Sequence, residues 1–452
     1  MSVIAEELLP ESLLETFRER AVVHDRENTF PEQDLADLRE RGYLRMLVPR
    51  ELGGLGGSLL EAARVQRRLA GAAPATALSM NMHLVVTGAA LHAHRLGAEP
   101  VRSILEDAAA EKLFAFGISE AGNDAMLFDS ATRAVPDGDG FRLTGTKIFT
   151  SLAPVWDRLV VHGRVAVARE DDPRLVFGVI ERDEHVETLD DWDTHGMRPS
   201  QSRTTRLDGA AVTAERVLTT TPVGPNTDPF VMGIFGAFEL LLASVYTGVA
   251  QRAVEVGSSI ATTRRNATKG IVHADDPDIR WRLADAAIRL DGAVLQAEKV
   301  LADLDALGTG ESGTGTSDHG PRWFLHFSGV KSRATEAAIA AGADEVGGAE
   351  LIEKVNRYFG DLEAKDEYKV TFAQTLIAEA LDNDDLRMQA QNNSRRDFEF
   401  SPTLRLVLED ALWQQEESNG EVLNAARSLP AEKLVELAME LGLYEQLKEQ
   451  AG

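Results

Sequence analysis

Apolar residues recur at helical spacing through the first hundred residues: Leu35, Leu38, Leu44 and Leu47 mark one stretch, Leu59, Ala62, Val65 and Leu69 another. Phe30-Pro31-Glu32-Gln33 has the form of a helix start, with proline near the first helical position. Gly53-Gly54-Leu55-Gly56-Gly57 reads as a flexible break between helices. From about Phe114 the pattern changes. Short runs rich in Val, Phe, Thr and Ile, such as FRLTGTKIFT, RLVVHGRV and LVFGVIE, are separated by Gly, Asp and Pro as far as Leu218, which predicts a compact antiparallel sheet. Asp137-Gly138-Asp139-Gly140 is its strongest hairpin signal, because glycines take the positive φ that tight turns require. After Pro229 the helical period returns, with Phe238, Leu241, Leu242, Val245, Val249 and Val256 on one broad face. Further helices are expected from about Pro277 to Ala306 and from Trp323 to about Ala341. Beyond Gly347 the segments are acidic, rich in Asn and Gln, and helical. The expected fold class is therefore mainly α with a central β domain. Its division is a helical domain over residues 1–112, a β domain over 113–225, a second helical domain over 226–346 and an appended all-α module over 347–452.

A chain of 452 residues exceeds what one core usually organises. It contains no cysteine, so disulfides, thiolate metal sites and cysteine nucleophiles are excluded, in keeping with a cytoplasmic location. The formal net charge of -26 and the lack of a strong basic face argue against a nucleic-acid partner. No apolar run is read as approaching the roughly twenty residues of a membrane span, and the acidic start MSVIAEELLPESLLE is unlike a signal peptide. Gly308, Gly310 and Gly313 match G-x-G-x-x-G, but a helix and not a strand precedes them, which argues against a dinucleotide site. No metal site is expected.

Candidate chemistry concentrates in four places. In FAFGISEAGNDAMLFDS (residues 114–130), Ser119 and Glu120 follow an apolar strand and precede a Gly122-Asn123-Asp124 turn, so hydroxyl and backbone N–H groups can face the open end of the sheet; an ordinary strand end with an Asx turn is the plainer alternative. In GTKIFTS (residues 145–151), alternation places Lys147, Phe149 and Ser151 on one face, which could set an aromatic and a hydroxyl against a ring. Asp191-Trp192-Asp193-Thr194-His195-Gly196-Met197-Arg198-Pro199-Ser200 is an irregular aromatic and charged segment within the sheet region. Glu239 lies among Phe235, Phe238, Leu240, Leu241 and Leu242 in a helix that should be buried. Such a carboxyl either meets a polar crevice with a raised pKa, suited to accepting a proton, or forms an ion pair with a neighbouring element.

Taken together and in this order, FPEQDLADLRERGYLRMLVPRELGGLGG, FGISEAGND, GTKIFTS and DDWDTHGMRPSQSRTTRLDGAAVTAERVL resemble the acyl-CoA dehydrogenase family, over about residues 13–341. The resemblance implies helices, a small antiparallel β-barrel or sandwich, and helices again, with FAD (alternatively FMN) between the sheet and the second helical block of a homo-oligomer. Phe116, Ile118, Ser119, Phe149, Thr150 and Ser151 would line the flavin: Ser119 at its pyrimidine edge, Phe149 shielding the ring, Ser151 near N5. Arg265 would reach a neighbouring subunit's FAD, and Gly122, Asn123 and Asp124 would meet the substrate. Glu239 would remove the α proton of an acyl-CoA or related thioester while hydride passes to the flavin, and electron-transfer flavoprotein or oxygen would be the acceptor. SEAGND is shorter than the usual turn by about two residues, and some relatives of this fold are oxygenases supplied with reduced flavin, which is the alternative reading. Residues 348–452, above all QAQNNSRRDFEFSP, resemble the C-terminal helical region of the restriction subunit of type I restriction enzymes, so an inert assembly protein is a further alternative.

Overall fold

The computed structural model describes residues 3–166, 172–194, 196–265, 270–307 and 319–345. The chain divides into two units, Met1–Glu345 and Val346–Gly452. The expected module over 347–452, the glycine motif at 308–313 and His195 lie outside the described residues.

The N-terminal helices are α1 (Val3–Leu8), α2 (Glu11–Glu27), α3 (Glu32–Glu40), α4 (Leu59–Ala70), α5 (Pro74–Arg95) and α6 (Arg102–Ala109). Ser58 starts α4 through a reciprocal capping box with Glu61. The GGLGG segment is packed and not loose: a Cβ on Gly54 would overlap the Val48 carbonyl, and one on Gly57 would lie 2.8 Å from Met46 O. Close approach is the physical reason for those glycines. Helix α5 is buried on nearly every side, so its pattern is continuous rather than amphipathic.

The strands are β1 (Phe114–Gly117), β2 (Arg133–Asp137), β3 (Gly140–Thr150), β4 (Arg158–Val165), β5 (Arg174–Glu181), β6 (Val186–Thr188), β7 (Arg203–Val212) and β8 (Val217–Pro222). They form one sheet in the order β6-β7-β3-β2-β4-β5-β8, with β1 added beside β4. The sheet is mixed, which corrects the antiparallel expectation: β1 runs parallel to β4, and β2 meets β4 in parallel at Arg133 and Ala134. A strand arriving from a helical domain has no hairpin partner in sequence and fills the sheet wherever its apolar faces can be covered; β1 is buried at every position. The sheet curls, since a Cβ on Gly178 of β5 would overlap Val212 of β7. At the predicted β2–β3 hairpin only Gly138 takes a positive φ, of 61°, while Gly140 is required because a Cβ would strike Val212 O.

Helices α7 (Pro229–Thr263), α8 (Pro277–Ala306) and α9 (Trp323–Glu345) complete the unit. Asp228 caps α7 and Asp276 caps α8, each with proline in the first turn. By length and composition α7 is apolar enough to cross a membrane, contrary to the sequence reading. Its apolar window is 78% buried within the fold, as suits a core helix packed by α4, α5, α8 and α9.

Candidate functional site

Strand β1 is positioned by a buried histidine. His83 of α5 accepts a hydrogen bond at Nδ1 from Phe114 N–H (3.2 Å), which leaves Nε2–H to donate to Leu44 O (2.8 Å). Burial lowers its pKa to about 4, so the ring is neutral and its tautomer fixed. Where β1 ends, Ser119 O accepts from Ile148 N–H (2.9 Å), bringing the SEAGND turn against the end of β3.

Glu120 does not face a ligand. Its carboxylate is buried and accepts from Lys147 Nζ (2.7 Å), Thr132 Oγ1 (2.6 Å), Ser130 Oγ (2.8 Å), Asn123 Nδ2 (2.8 Å) and the backbone N–H groups of Ala131 (2.7 Å) and Thr132 (2.9 Å). Burial alone would raise its pKa, but the Lys147 charge and these donors hold it well below the usual carboxylate range. Lys147 is fully buried; it also donates to His162 O (2.9 Å) and faces His162 Nδ1 (3.1 Å). Burial pulls the amine down to about 8, with Glu120 opposing, so it is still charged at neutral pH. Burial and the Lys147 charge lower the His162 pKa to about 3, and its Nε2–H donates to Met126 O and Asp129 O. This knot fixes the 120–132 turn from within. Asn123 spans it, donating to Glu120 and to Asp129 O (2.9 Å) and accepting from Ala125 N–H (3.1 Å), while Gly122 (φ +77°) and Asp124 are exposed. The sequence reading missed the knot, although a lysine between strand residues and a histidine inside RLVVHGRV were its visible signals.

The expected common face of Lys147, Phe149 and Ser151 is corrected. A bulge between Lys147 and Thr150 interrupts β3–β7 pairing and breaks the alternation. Phe149 sits there at φ +57°, 47% exposed, edge-on to Trp192 at 6.2 Å. Thr150 is buried with Oγ1 lacking a hydrogen-bond partner among the described residues. Ser151 Oγ joins Ser202 Oγ (2.7 Å), which joins Ser200 Oγ (2.8 Å). The DWDTHGMR segment is tied to the N-terminal helices: Asn28 Nδ2 donates to Trp192 O (2.8 Å), and Gln201 Nε2 donates to Asn28 O (2.9 Å).

Phe116 is buried and meets Phe238 of α7 at 6.0 Å, and Ile118 is buried beside it in the chain. Glu239, the next residue of α7, is buried and paired with Lys331 of α9 (Oε1 to Nζ, 3.3 Å). Burial raises its pKa and Lys331 opposes, leaving it above the ordinary carboxyl value. The ion-pair alternative is thus the arrangement found. Arg265 is exposed beyond the end of α7, donating to Gly270 O (3.0 Å). The helix ends at Thr263, roughly 36 Å along its axis from Glu239 at about 1.5 Å per residue. The structure therefore gathers Ser119, Phe149, Thr150 and Ser151 at one edge of the sheet and sets Phe116 against α7 near Glu239. Arg265 is left apart.

The acyl-CoA dehydrogenase N-terminal domain model matches residues 7–103, and the C-terminal domain model matches residues 240–371, into the part expected to be an unrelated module. Dibenzothiophene monooxygenase of Rhodococcus erythropolis is 30% identical over 354 residues, spanning 75% of this chain and 82% of that protein. The chain belongs to the acyl-CoA dehydrogenase family. Within it, L-evernosamine nitrososynthase of Micromonospora sp. is 29% identical over 333 residues, 72% of this chain and 75% of that one. The structure of KijD3 in complex with FMN and dTDP-3-amino-2,3,6-trideoxy-4-keto-3-methyl-D-glucose is similar with a TM-score of 0.66 at 28% identity, covering 78% of this chain and 86% of that one. Butyryl-CoA dehydrogenase from Megasphaera elsdenii shares the fold, with a TM-score of 0.61 at 17% identity over 76% of this chain and 88% of that one.

Family membership and the KijD3 complex support a flavin as cofactor. The residues at the sheet edge fit one. An outward-turned Phe149 offers a ring face, the half-buried Ser119 hydroxyl makes no hydrogen bond to another described residue, and Thr150 Oγ1 is an orphaned buried donor and acceptor.

Proposed function

We propose that this chain is a flavin-dependent monooxygenase that takes reduced FMN from a separate reductase and oxygenates a nitrogen or sulfur atom of a small molecule. The observation that carries this reading is the pairing of Glu239 with Lys331. A thioester dehydrogenase needs a carboxylate free to take the α proton, and here the candidate base is occupied by an ammonium group. The relatives named above are a monooxygenase and a nitrososynthase, and the bound flavin in the KijD3 complex is FMN, which favour oxygenase over dehydrogenase chemistry.

Reduced flavin, when bound, supplies the electrons that activate dioxygen, so that one oxygen atom reaches the substrate and the other leaves as water. Phe149 would cover one face of the ring, Ser119 and Thr150 would bond its polar edge, and the Ser151–Ser202–Ser200 chain would keep a hydroxyl near the reacting position. Phe116 and Phe238 would exclude water from the α7 side. Gly122, Asn123 and Asp124 would meet the substrate where they stand at the turn.

With a reductase, NADH and FMN, the protein should transfer one labelled atom from ¹⁸O₂ to a probe such as indole, dibenzothiophene or an amine-bearing sugar nucleotide. Glu239→Gln should keep at least half of that turnover. Turnover confined to acyl thioesters, or its abolition in Glu239→Gln, would refute the proposal.

The chain is further proposed to work as a homo-oligomer. Trp281, Ile288 and Leu295, spaced by seven residues on α8, are 74%, 71% and 62% exposed, an apolar stripe fit for a helix of a second copy. Light scattering should give a multiple of 49.2 kDa that falls to the single mass in Ile288→Glu/Leu295→Glu. Wild-type protein at the single mass would remove this part. The C-terminal domain match runs to residue 371, so only the residues beyond it are kept as an appended assembly module, a proposal resting on the sequence resemblance alone.

A further inference from the structure

A cavity of about 670 Å³ lies between α1, α2, α4, α7 and α8, and none of the candidate flavin residues lines it. Its Arg252 is thirteen residues beyond Glu239 on α7, roughly 20 Å along the helix. The lining holds five arginines and no lysine, within a chain of net charge -26. Three of them, Arg64, Arg67 and Arg68, project from the last turns of α4, and Arg18 of α2 and Arg252 of α7 complete the set.

Among the described residues the carboxylates around them are fewer than the arginines. Glu298 of α8 serves two arginines at once: Arg64 binds it through Nε (3.2 Å) and Nη2 (2.6 Å), and Arg67 through Nη2 (2.6 Å). Those bonds lower its pKa to about 2 and hold both guanidinium groups in place. Glu11 likewise serves Arg18 (3.0 Å) and Arg68 (3.3 Å), but it is 58% exposed and makes single contacts. Arg252 faces Glu255 of its own helix at 3.5 Å. Among the described residues, five positive groups against Glu11, Glu61, Glu255 and Glu298 leave an excess of one, which becomes two if Glu11 swings out to solvent. That is charge of the size two linked phosphates carry. Arg18 Nε is buried without a hydrogen-bond partner among the described residues. The floor is kept open by glycine: Gly248 lets α7 cross against the Arg67 carbonyl, and at Gly71 nothing stands closer than 3.5 Å to where a side chain would start. Guanidinium forks suit bidentate binding of phosphate oxygens where lysine would act as a point charge. The volume is that of a small-molecule site.

We propose that this cavity binds a diphosphate-bearing anion, with Glu11 displaced by a phosphate group that takes over Arg18 and Arg68. The test is calorimetric titration of the full chain, in excess FMN, with inorganic diphosphate and with ADP. One saturable site per chain is expected. Arg18→Gln/Arg252→Gln should weaken it at least tenfold, and Glu11→Gln, which removes the competing carboxylate, should strengthen it severalfold. The opposite signs separate ligand binding from a structural role, and Glu11→Gln keeps the test valid if the double variant folds poorly. ADP binding more tightly than diphosphate would assign the rest of the cavity to a nucleoside, and equal affinities would assign the phosphates alone; either supports the proposal. No saturable binding, loss of binding once FMN is in excess, or indifference to the substitutions would overturn it.

Discussion

Lys147→Met is expected to destabilise the protein by about 3–5 kcal/mol, because it strips the countercharge from a carboxylate with almost no access to water. Glu120 and Lys147 are buried together, and the surrounding donors, Thr132, Ser130 and the two backbone N–H groups, are arranged for an ionised Glu120. Methionine matches the lysine stem in shape, so the loss is electrostatic rather than a cavity. The pair replacement Glu120→Gln/Lys147→Met should recover part of the loss, since a neutral amide still reaches some of the same partners. Urea unfolding at neutral pH measures both. Because the same knot holds the turn beside Ser119, flavin affinity should fall along with stability. A loss below about 1 kcal/mol for the single variant would mean that the pair is not what holds this turn.

Stability is also expected to fall steeply as pH drops from 7 to 5. His83, His92 and His162 are buried, and desolvation brings their pKa values to about 4, about 4 and about 3. In the unfolded chain each titrates near 6.5. Between 6.5 and these folded values the unfolded state binds protons that the folded state refuses, so stability is fully present above about pH 6.5 and is lost as pH falls. Each histidine contributes a loss of about 2 kcal/mol by pH 5, roughly 6 kcal/mol in all. Asp34, Glu239 and Asp305, whose pKa values burial raises, act with the opposite sign as they take up protons in the folded state. Urea midpoints at pH 7, 6 and 5 test this, and a flat profile would show that the three rings gain protons without unfolding.

The helical blocks were legible because their apolar spacing is local and strong, as in Leu59, Ala62, Val65 and Leu69, all buried where the period placed them. The site segments were legible as motifs, and the structure does bring Ser119 to the Phe149–Ser151 edge. What could not be read is what depends on distant partners. The parallel union of β1 with β4 joins segments some forty residues apart, and the Glu239–Lys331 pair spans ninety-two. The bulge that turns Phe149 outward adds one residue to a pattern that otherwise alternates, so periodicity alone gave the wrong face. The arginine cavity draws on residues from five helices, and only α4 contributes more than one of its arginines.

The most direct test of the central claim is an anaerobic titration of the FMN-loaded protein with acyl-CoA thioesters of several lengths, following the visible absorbance of the oxidised flavin. An oxygenase whose Glu239 is held by Lys331 should leave that absorbance unchanged with every thioester. Bleaching by any of them would show that a carboxylate in this chain takes the α proton, and would restore the dehydrogenase reading.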